Sequence, residues 1–136
     1  MITLDTSGLV AYLNVRDPYH DQVTVALQRE RGPYIIPVGI LAEIAYFIEQ
    51  LHPAVLNALL DTIEKGGLTL DCGDQDIPRI HQLVNKYSSL PLGFADAAVI
   101  ACAERNGGRV LTLDMRHFSV VAREGTLNLL PGWGNP

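Results

Sequence analysis

The segment Leu92–Phe118, LGFADAAVIACAERNGGRVLTLDMRHF, constrains the fold more than any other. It reads as a helix over Gly93–Glu104, a glycine turn, and a strand over Val110–Leu113. The helix is apolar almost all round, through Phe94, Ala95, Ala97, Ala98, Val99, Ile100, Ala101, Cys102 and Ala103. A helix without a polar face is buried, so the rest of the chain has to cover it. Asp96 nevertheless stands in its first turn, where an unsatisfied carboxylate is costly. Asp114 directly follows the strand, and in open α/β sheets the carboxyl ends of strands are where ligands bind. One supersecondary unit thus brings two carboxylates toward one region.

The remaining elements predict what covers that helix. Met1–Leu4 is a short apolar strand closed by Asp5, and Thr6–Leu13 a helix capped by Asp5 or Thr6. Asp17-Pro18 opens a second helix, with Tyr19, Val23, Ala26 and Leu27 on one face. Gly32-Pro33 breaks it, and Tyr34–Ile36 forms a strand ended by Pro37. Val38–Leu51 is an amphipathic helix with Ile40, Leu41, Ile44, Phe47, Ile48 and Leu51 inward. Pro53 opens the next, with Val55, Leu56, Leu59, Leu60 and Ile63 inward, and Gly66-Gly67 ends it. Leu68–Leu70 is a third strand. Asp74 or Asp76 then caps a helix carrying Ile77, Ile80, Val84 and Tyr87. A loop follows Asp114 through His117 and Phe118, Leu127–Leu130 is a last strand, and Pro131–Pro136 a loose tail. Strands alternating with helices predict an α/β fold, a three-layer sandwich with a short parallel sheet flanked by helices. With 136 residues and 48% hydrophobic composition, the whole chain reads as one domain, residues 1–136.

Four carboxylates have no simple place in such a core. Asp5 and Asp114 end strands at the same sheet edge, Asp96 opens the apolar helix, and Glu43 lies at the border of an apolar helix face. Each has an ordinary reading. Asp5 can cap a helix, Asp96 can complement a helix dipole, Asp114 can start a turn, and Glu43 can touch solvent. Together they point elsewhere. Two carboxylates about 4 Å apart at an effective dielectric near 20 repel by roughly 4 kcal/mol. The two lysines, Lys65 and Lys86, sit in a glycine turn and at a helix end, away from them. Convergence then requires either bound protons or a cation, and oxygen ligands favour Mg²⁺ or Mn²⁺. His20, His52, His81, His117 and the cysteines lack zinc spacing, although His20 and His117 fall nearest the expected site. A carboxylate cage holding Mg²⁺ points to phosphoryl transfer. The sequence has no phosphate-loop lysine motif and no glycine-rich dinucleotide fingerprint.

LDTSGLVAYL, PVGILAEIAYFI, LGFADAAVIACAE and VLTLDMRHF, in this order and spacing, resemble the PIN-domain nucleases, and among them the small VapC-type toxins of toxin–antitoxin pairs. The resemblance implies a Mg²⁺-dependent endoribonuclease with Asp5, Glu43, Asp96 and Asp114 as its acidic set. It implies direct metal ligation by Asp5 and Asp96, with Glu43 and Asp114 supporting the metal or binding through water. Thr6 and Thr112 would flank the site by hydrogen bonding. Many relatives carry a further acidic residue near position 117, where this chain has His117. The implied partners are an RNA substrate, a cognate antitoxin and a second copy of the chain. Arg16, Lys86, Arg116 and His117 fall in loops or helix ends that would border an RNA groove, although singly each reads as a solvated surface charge. The net charge of −5 argues against broad electrostatic binding to nucleic acid, but not against binding through a cation. Two well-separated cysteines in apolar settings, and no membrane-length apolar run, fit buried thiols in the cytoplasm. The alternative is a PIN fold that binds RNA or assembles without cutting it. An intact acidic set favours the enzyme.

Overall fold

Short apolar strands buried on both faces are the mark of a parallel sheet, and the computed structural model, which describes residues 1–132, has one. Its strands are β1 (Ile2–Leu4), β2 (Tyr34–Pro37), β3 (Thr69–Asp71), β4 (Arg109–Leu111) and β5 (Asn128–Leu130). They lie in the order β3-β2-β1-β4-β5, and every pairing is parallel. The helices among the described residues are α1 (Thr6–Leu13), α2 (His20–Glu30), α3 (Leu41–Glu49), α4 (Pro53–Glu64), α5 (Ile77–Lys86), α6 (Phe94–Arg105) and α7 (Met115–Ala122). The chain moves outward from β1 to β2 and β3, then crosses back to β4 and β5 on the other side. Right-handed crossovers in opposite directions put α1–α4 on one face of the sheet and α5–α7 on the other. Accordingly α1 meets α2 and α3, α3 meets α4, and α6 meets α5 and α7. The result is the expected three-layer sandwich.

The place where the strand order reverses, between β1 and β4, is the topological switch point at which α/β sheets open a crevice. Asp5 follows β1 there, and Thr112 to Asp114 follow β4. The approach is tight. A Cβ on Gly8 would lie 2.7 Å from the Leu111 carbonyl oxygen, so glycine lets the first turn of α1 pass against the end of β4. The core beneath is continuous, from Ile2, Leu4 and Leu9 through Ile36, Ile44 and Ile100 to Leu111 and Phe118. Far from the switch point, the Arg105 guanidinium reaches Asp71 and the buried Asp76 with contacts of 2.6 to 3.0 Å, tying the end of α6 to β3.

Several expectations are corrected. The helix over Val38–Leu51 is a single 3-10 turn, Val38–Ile40, followed by the shorter α3. Only Ile40, Ile44 and Ile48 on that stretch reach the core, because three residues one turn apart fill the available width. Phe47, Leu51 and Leu60, expected inward, are exposed. The segment after Asp114 is helix α7 rather than loop, since Asp114 Oδ1 accepts from the His117 N–H at 3.1 Å and caps it. Asp5 occupies the cap position of α1, but its side chain makes no capping bond. Asp76 likewise pairs with Arg105 instead of capping α5. Cys102 is buried as expected, whereas Cys72 is exposed. Of the expected tail, residues 133–136 lie outside the described residues.

Candidate active site

At the switch point the chain forms an open groove of about 490 Å³, and Asp5, Glu43, Asp96 and Asp114 all line it. They arrive from four separate elements: the end of β1, the first turn of α3, the first turn of α6 and the cap of α7. No lysine or arginine is among the lining residues. The groove is therefore a concentration of negative charge without a built-in counter-cation.

Asp5 is the anchor. It is only 6% exposed, and its Oδ2 accepts from Ser7 Oγ at 2.9 Å and Thr112 Oγ1 at 2.8 Å. Both hydroxyls are oriented by the backbone. Ser7 Oγ accepts from the Leu113 N–H at 2.9 Å, and Thr112 Oγ1 accepts from the Asp114 N–H at 3.0 Å. Each hydroxyl accepts from an amide and directs its proton to Asp5. Burial still dominates the carboxyl, which is pushed up to about 6; the hydroxyls pull the other way and the charge of Asp96 adds to the rise. Asp96 is half-buried and also raised, first by desolvation and then by the charges of Asp114 and Glu43, with His117 opposing. Glu43 Oε1 accepts from Thr6 Oγ1 at 2.5 Å, so the two threonines named from the sequence each serve a different carboxylate.

His117 joins this set. Its Nδ1 lies 2.8 Å from Asp114 Oδ2. A carboxylate oxygen accepts, so Nδ1 carries a hydrogen in this contact. Asp96, Asp114 and His117 each offer a ligand atom, and these atoms lie within 4.8 Å of one another. Oxygen donors with one imidazole, raised carboxyl groups and no lining cation form a donor set that suits a divalent ion.

The other candidates behave differently. Arg16 and Arg116 are exposed and do not line the groove. Lys86 is engaged with Glu124 and the Tyr87 ring, also outside the groove lining. His20 Nδ1 lies 3.0 Å from the Ala11 carbonyl oxygen, where it joins α2 to α1. Sequence reasoning missed Ser7, Asp17, Tyr19 and Phe47, all of which line the groove. For Ser7 the signal was present in LDTSG, two residues after the buried Asp5, but its partner backbone lies over a hundred residues away.

This fold has known counterparts. The PIN domain family model matches residues 2–124, and the chain belongs to that family. Its likeness is to the VapC members. It is 31% identical over 121 residues to the ribonuclease VapC26 of Mycobacterium tuberculosis, covering 87% of this chain and 90% of that protein. The crystal structure of Mycobacterium tuberculosis VapC20, a toxin that cleaves the sarcin–ricin loop, aligns with a TM-score of 0.72 at 17% identity. That alignment covers 88% of this chain and 95% of VapC20, and at such identity it speaks for the fold alone.

Proposed function

We propose that this chain is a Mg²⁺-dependent endoribonuclease and the toxin of a toxin–antitoxin pair, with Mn²⁺ as a substitute metal. One observation carries the reading: four carboxylates from four elements line one groove with no lysine or arginine among its lining residues, and two of them, Asp96 and Asp114, lie with His117 within 4.8 Å of one another. The 31% identity to a VapC ribonuclease supports RNA as the substrate. Asp5 and Asp96 are proposed as direct ligands, with Asp114 and Glu43 supporting them. His117 braces Asp114 through Nδ1 and adds a ring nitrogen to the same cluster. Ser7 and Thr112 hold Asp5 in one rotamer, and Thr6 does the same for Glu43. Bound there, a divalent ion supplies positive charge for the scissile phosphate and a water of lowered pKa. Cytoplasmic action suits a chain whose cysteines are both free thiols; no helix among the described residues is long and apolar enough to cross a membrane.

Incubating the purified protein with total RNA tests this directly. Cleavage products are expected with Mg²⁺ or Mn²⁺ and not with chelator. Intact RNA in the presence of metal, with the protein shown to be folded, would remove the ribonuclease reading.

The same reading includes a homodimer and an antitoxin. Tyr46 is 62% exposed on α3, and Leu51 and Leu60 add apolar surface after α3 and on α4. Exposed apolar area of this kind marks interfaces, and a twofold contact covers it on both copies at once. Ile40, just before α3, is wholly buried and contributes nothing to that surface. An apolar hollow of about 260 Å³ between α1, α2 and α4, lined by Leu13, Leu27 and Ala58 among others, suits side chains of an antitoxin segment. An arginine from that segment reaching Asp5 or Asp96 would form charge-assisted bonds and displace the metal. Light scattering across a dilution series is expected to give twice the chain mass at micromolar concentration, and Tyr46→Glu to give the monomer. A monomer for the wild type would show that these helices need no partner.

A further inference from the structure

Away from the groove, the layer formed by α5, α6 and α7 carries a charged cluster that joins all three helices. Arg79 stands in the first turn of α5. Its Nε and Nη2 donate to Glu104 Oε1 and Oε2 on α6, both at 2.8 Å, and Nη2 donates also to Glu124 Oε1, just past α7, at 2.9 Å. Nη1 donates to Gln82 Oε1 at 2.8 Å, which fixes the guanidinium plane on α5. Glu124 Oε2 accepts from Lys86 Nζ at 3.1 Å and from the Tyr87 hydroxyl, and Thr126 Oγ1 donates to Glu104 Oε2 at 2.6 Å. The Arg79, Glu104 and Glu124 side chains are 26%, 15% and 21% exposed. A lone surface ion pair contributes little, but a forked arginine in a shielded network fixes orientation as well as distance.

The helices so joined are the two whose other ends meet in the groove. Asp96 lies in the first turn of α6, Asp114 caps α7 and His117 lies in its first turn; one ligand atom from each falls within 4.8 Å of the others. The like charges of Asp96 and Asp114 oppose that approach. Helices rise about 1.5 Å per residue, so Glu104 lies roughly 12 Å from Asp96 and Glu124 about 10 Å from His117. Over such a lever arm a tilt of about 5° moves the groove end by roughly 1 Å, a displacement that matters at a site built on geometry. Phe118 and Val121 hold α7 to the core, but apolar burial has no direction. The Arg79 fork supplies it. None of Arg79, Glu104 and Glu124 lines the groove. We infer that Arg79 is a positioning residue that, by tying Glu104 to Glu124, sets the spacing of Asp96 from the Asp114–His117 pair and with it the affinity of the groove for its divalent ion. This rests on the metal-dependent ribonuclease reading and adds to it a control point outside the groove.

Calorimetric titration of the purified protein with Mn²⁺ tests this, beside melting in chelator and RNA cleavage over a range of Mn²⁺. Arg79→Gln removes both halves of the tie. Glu124→Gln removes the ionised group on the α7 side and leaves the Glu104 fork whole. Each is expected to bind Mn²⁺ about tenfold more weakly. Cleavage should fall at low Mn²⁺ and recover when Mn²⁺ is raised, with KM for RNA unchanged. The double variant should bind no more weakly than Arg79→Gln, because both changes cut one connection. Arg105→Gln is the comparison, since it breaks a network on the same helix that leads to β3 rather than to α7. It should lower the melting temperature without weakening Mn²⁺ binding. Wild-type Mn²⁺ affinity in folded Arg79→Gln and Glu124→Gln would overturn the inference and leave the metal site intact. Equal weakening by Arg105→Gln would also overturn it, as a sign of general loosening of α6. If Arg79→Gln does not fold, Glu124→Gln against Arg105→Gln decides alone. If the wild type binds no Mn²⁺, the metal reading falls and takes this one with it.

Discussion

Asp5→Asn is expected to cost RNA cleavage at least about a thousandfold, roughly 4 kcal/mol of transition-state stabilisation, while making the metal-free protein more stable. The two effects share one cause. Asp5 is 6% exposed and its carboxyl is pushed up to about 6, chiefly by burial. Holding it ionised near neutral pH therefore opposes folding, by about 3 kcal/mol if the reference carboxyl titrates near 4. Asparagine removes that charge at nearly constant volume. It retains an oxygen to accept from Ser7 and Thr112, the two hydroxyls that now address Oδ2. What it loses is the ionised carboxylate proposed as a metal ligand at the switch point. Melting in chelator should rise for Asp5→Asn, and cleavage in metal-controlled buffer should collapse. Asp96→Asn is the companion. Asp96 is only half-buried, so its loss should cost cleavage with a smaller gain in stability. Undiminished cleavage by either variant would remove that residue from the proposed role.

Much of this site was legible from local pattern. The limits of α1 coincide with the span expected from Thr6 to Leu13, because a short apolar strand ending in Asp-Thr leaves the helix one place to begin. Asp5 and Asp114 could be assigned to one sheet edge because each follows an apolar strand, and parallel strands put their carboxyl ends together. Glu43 was placed by its position on the border of the α3 stripe. The hydroxyl relay could not be read the same way. Ser7 and Thr112 matter through the amides of Leu113 and Asp114, and that proximity exists only once β1 and β4 pair. His117 was obscured by the element around it: Arg116, His117 and Ser119 interrupt the apolar pattern, so α7 read as loop. The Asp114 cap and the buried Phe118 and Val121 are the signals that identify it. Phe47 was misplaced for a different reason. Amphipathic spacing puts it beside Ile44 and Ile48 on the helix wheel, but the sheet is too narrow for the whole stripe, and the residue at its edge faces the groove.

Added metal should offset the stability that the metal-free protein loses as pH rises. In chelator, Asp5 and Asp96 both have folded-state pKa values raised above the usual carboxylate range. The stability linked to their protonation is fully present below about pH 4. It is lost as pH rises through the folded value, about 6 for Asp5. Glu124 works in the opposite direction, held down to about 2 by Tyr87, Arg79 and Lys86. Its contribution is present above its ordinary value of 4.5 and lost as pH falls toward 2, so it leaves the window between pH 4.5 and 6.5 to the groove. Across that window the chelated protein should lose melting temperature as pH rises. A divalent ion held as proposed would take the ionised carboxylates, so its affinity should grow over the same range. At a hundred times its dissociation constant it adds about 2.7 kcal/mol to the native state, worth roughly 10 °C in a chain of this size. The melting curves with and without Mg²⁺ or Mn²⁺ should therefore diverge as pH is raised, and Asp5→Asn should narrow the gap by removing a charge that both protons and metal compete for. Parallel curves, or no wild-type response at saturating metal, would mean that the carboxylates meet in the groove without forming a site for an ion.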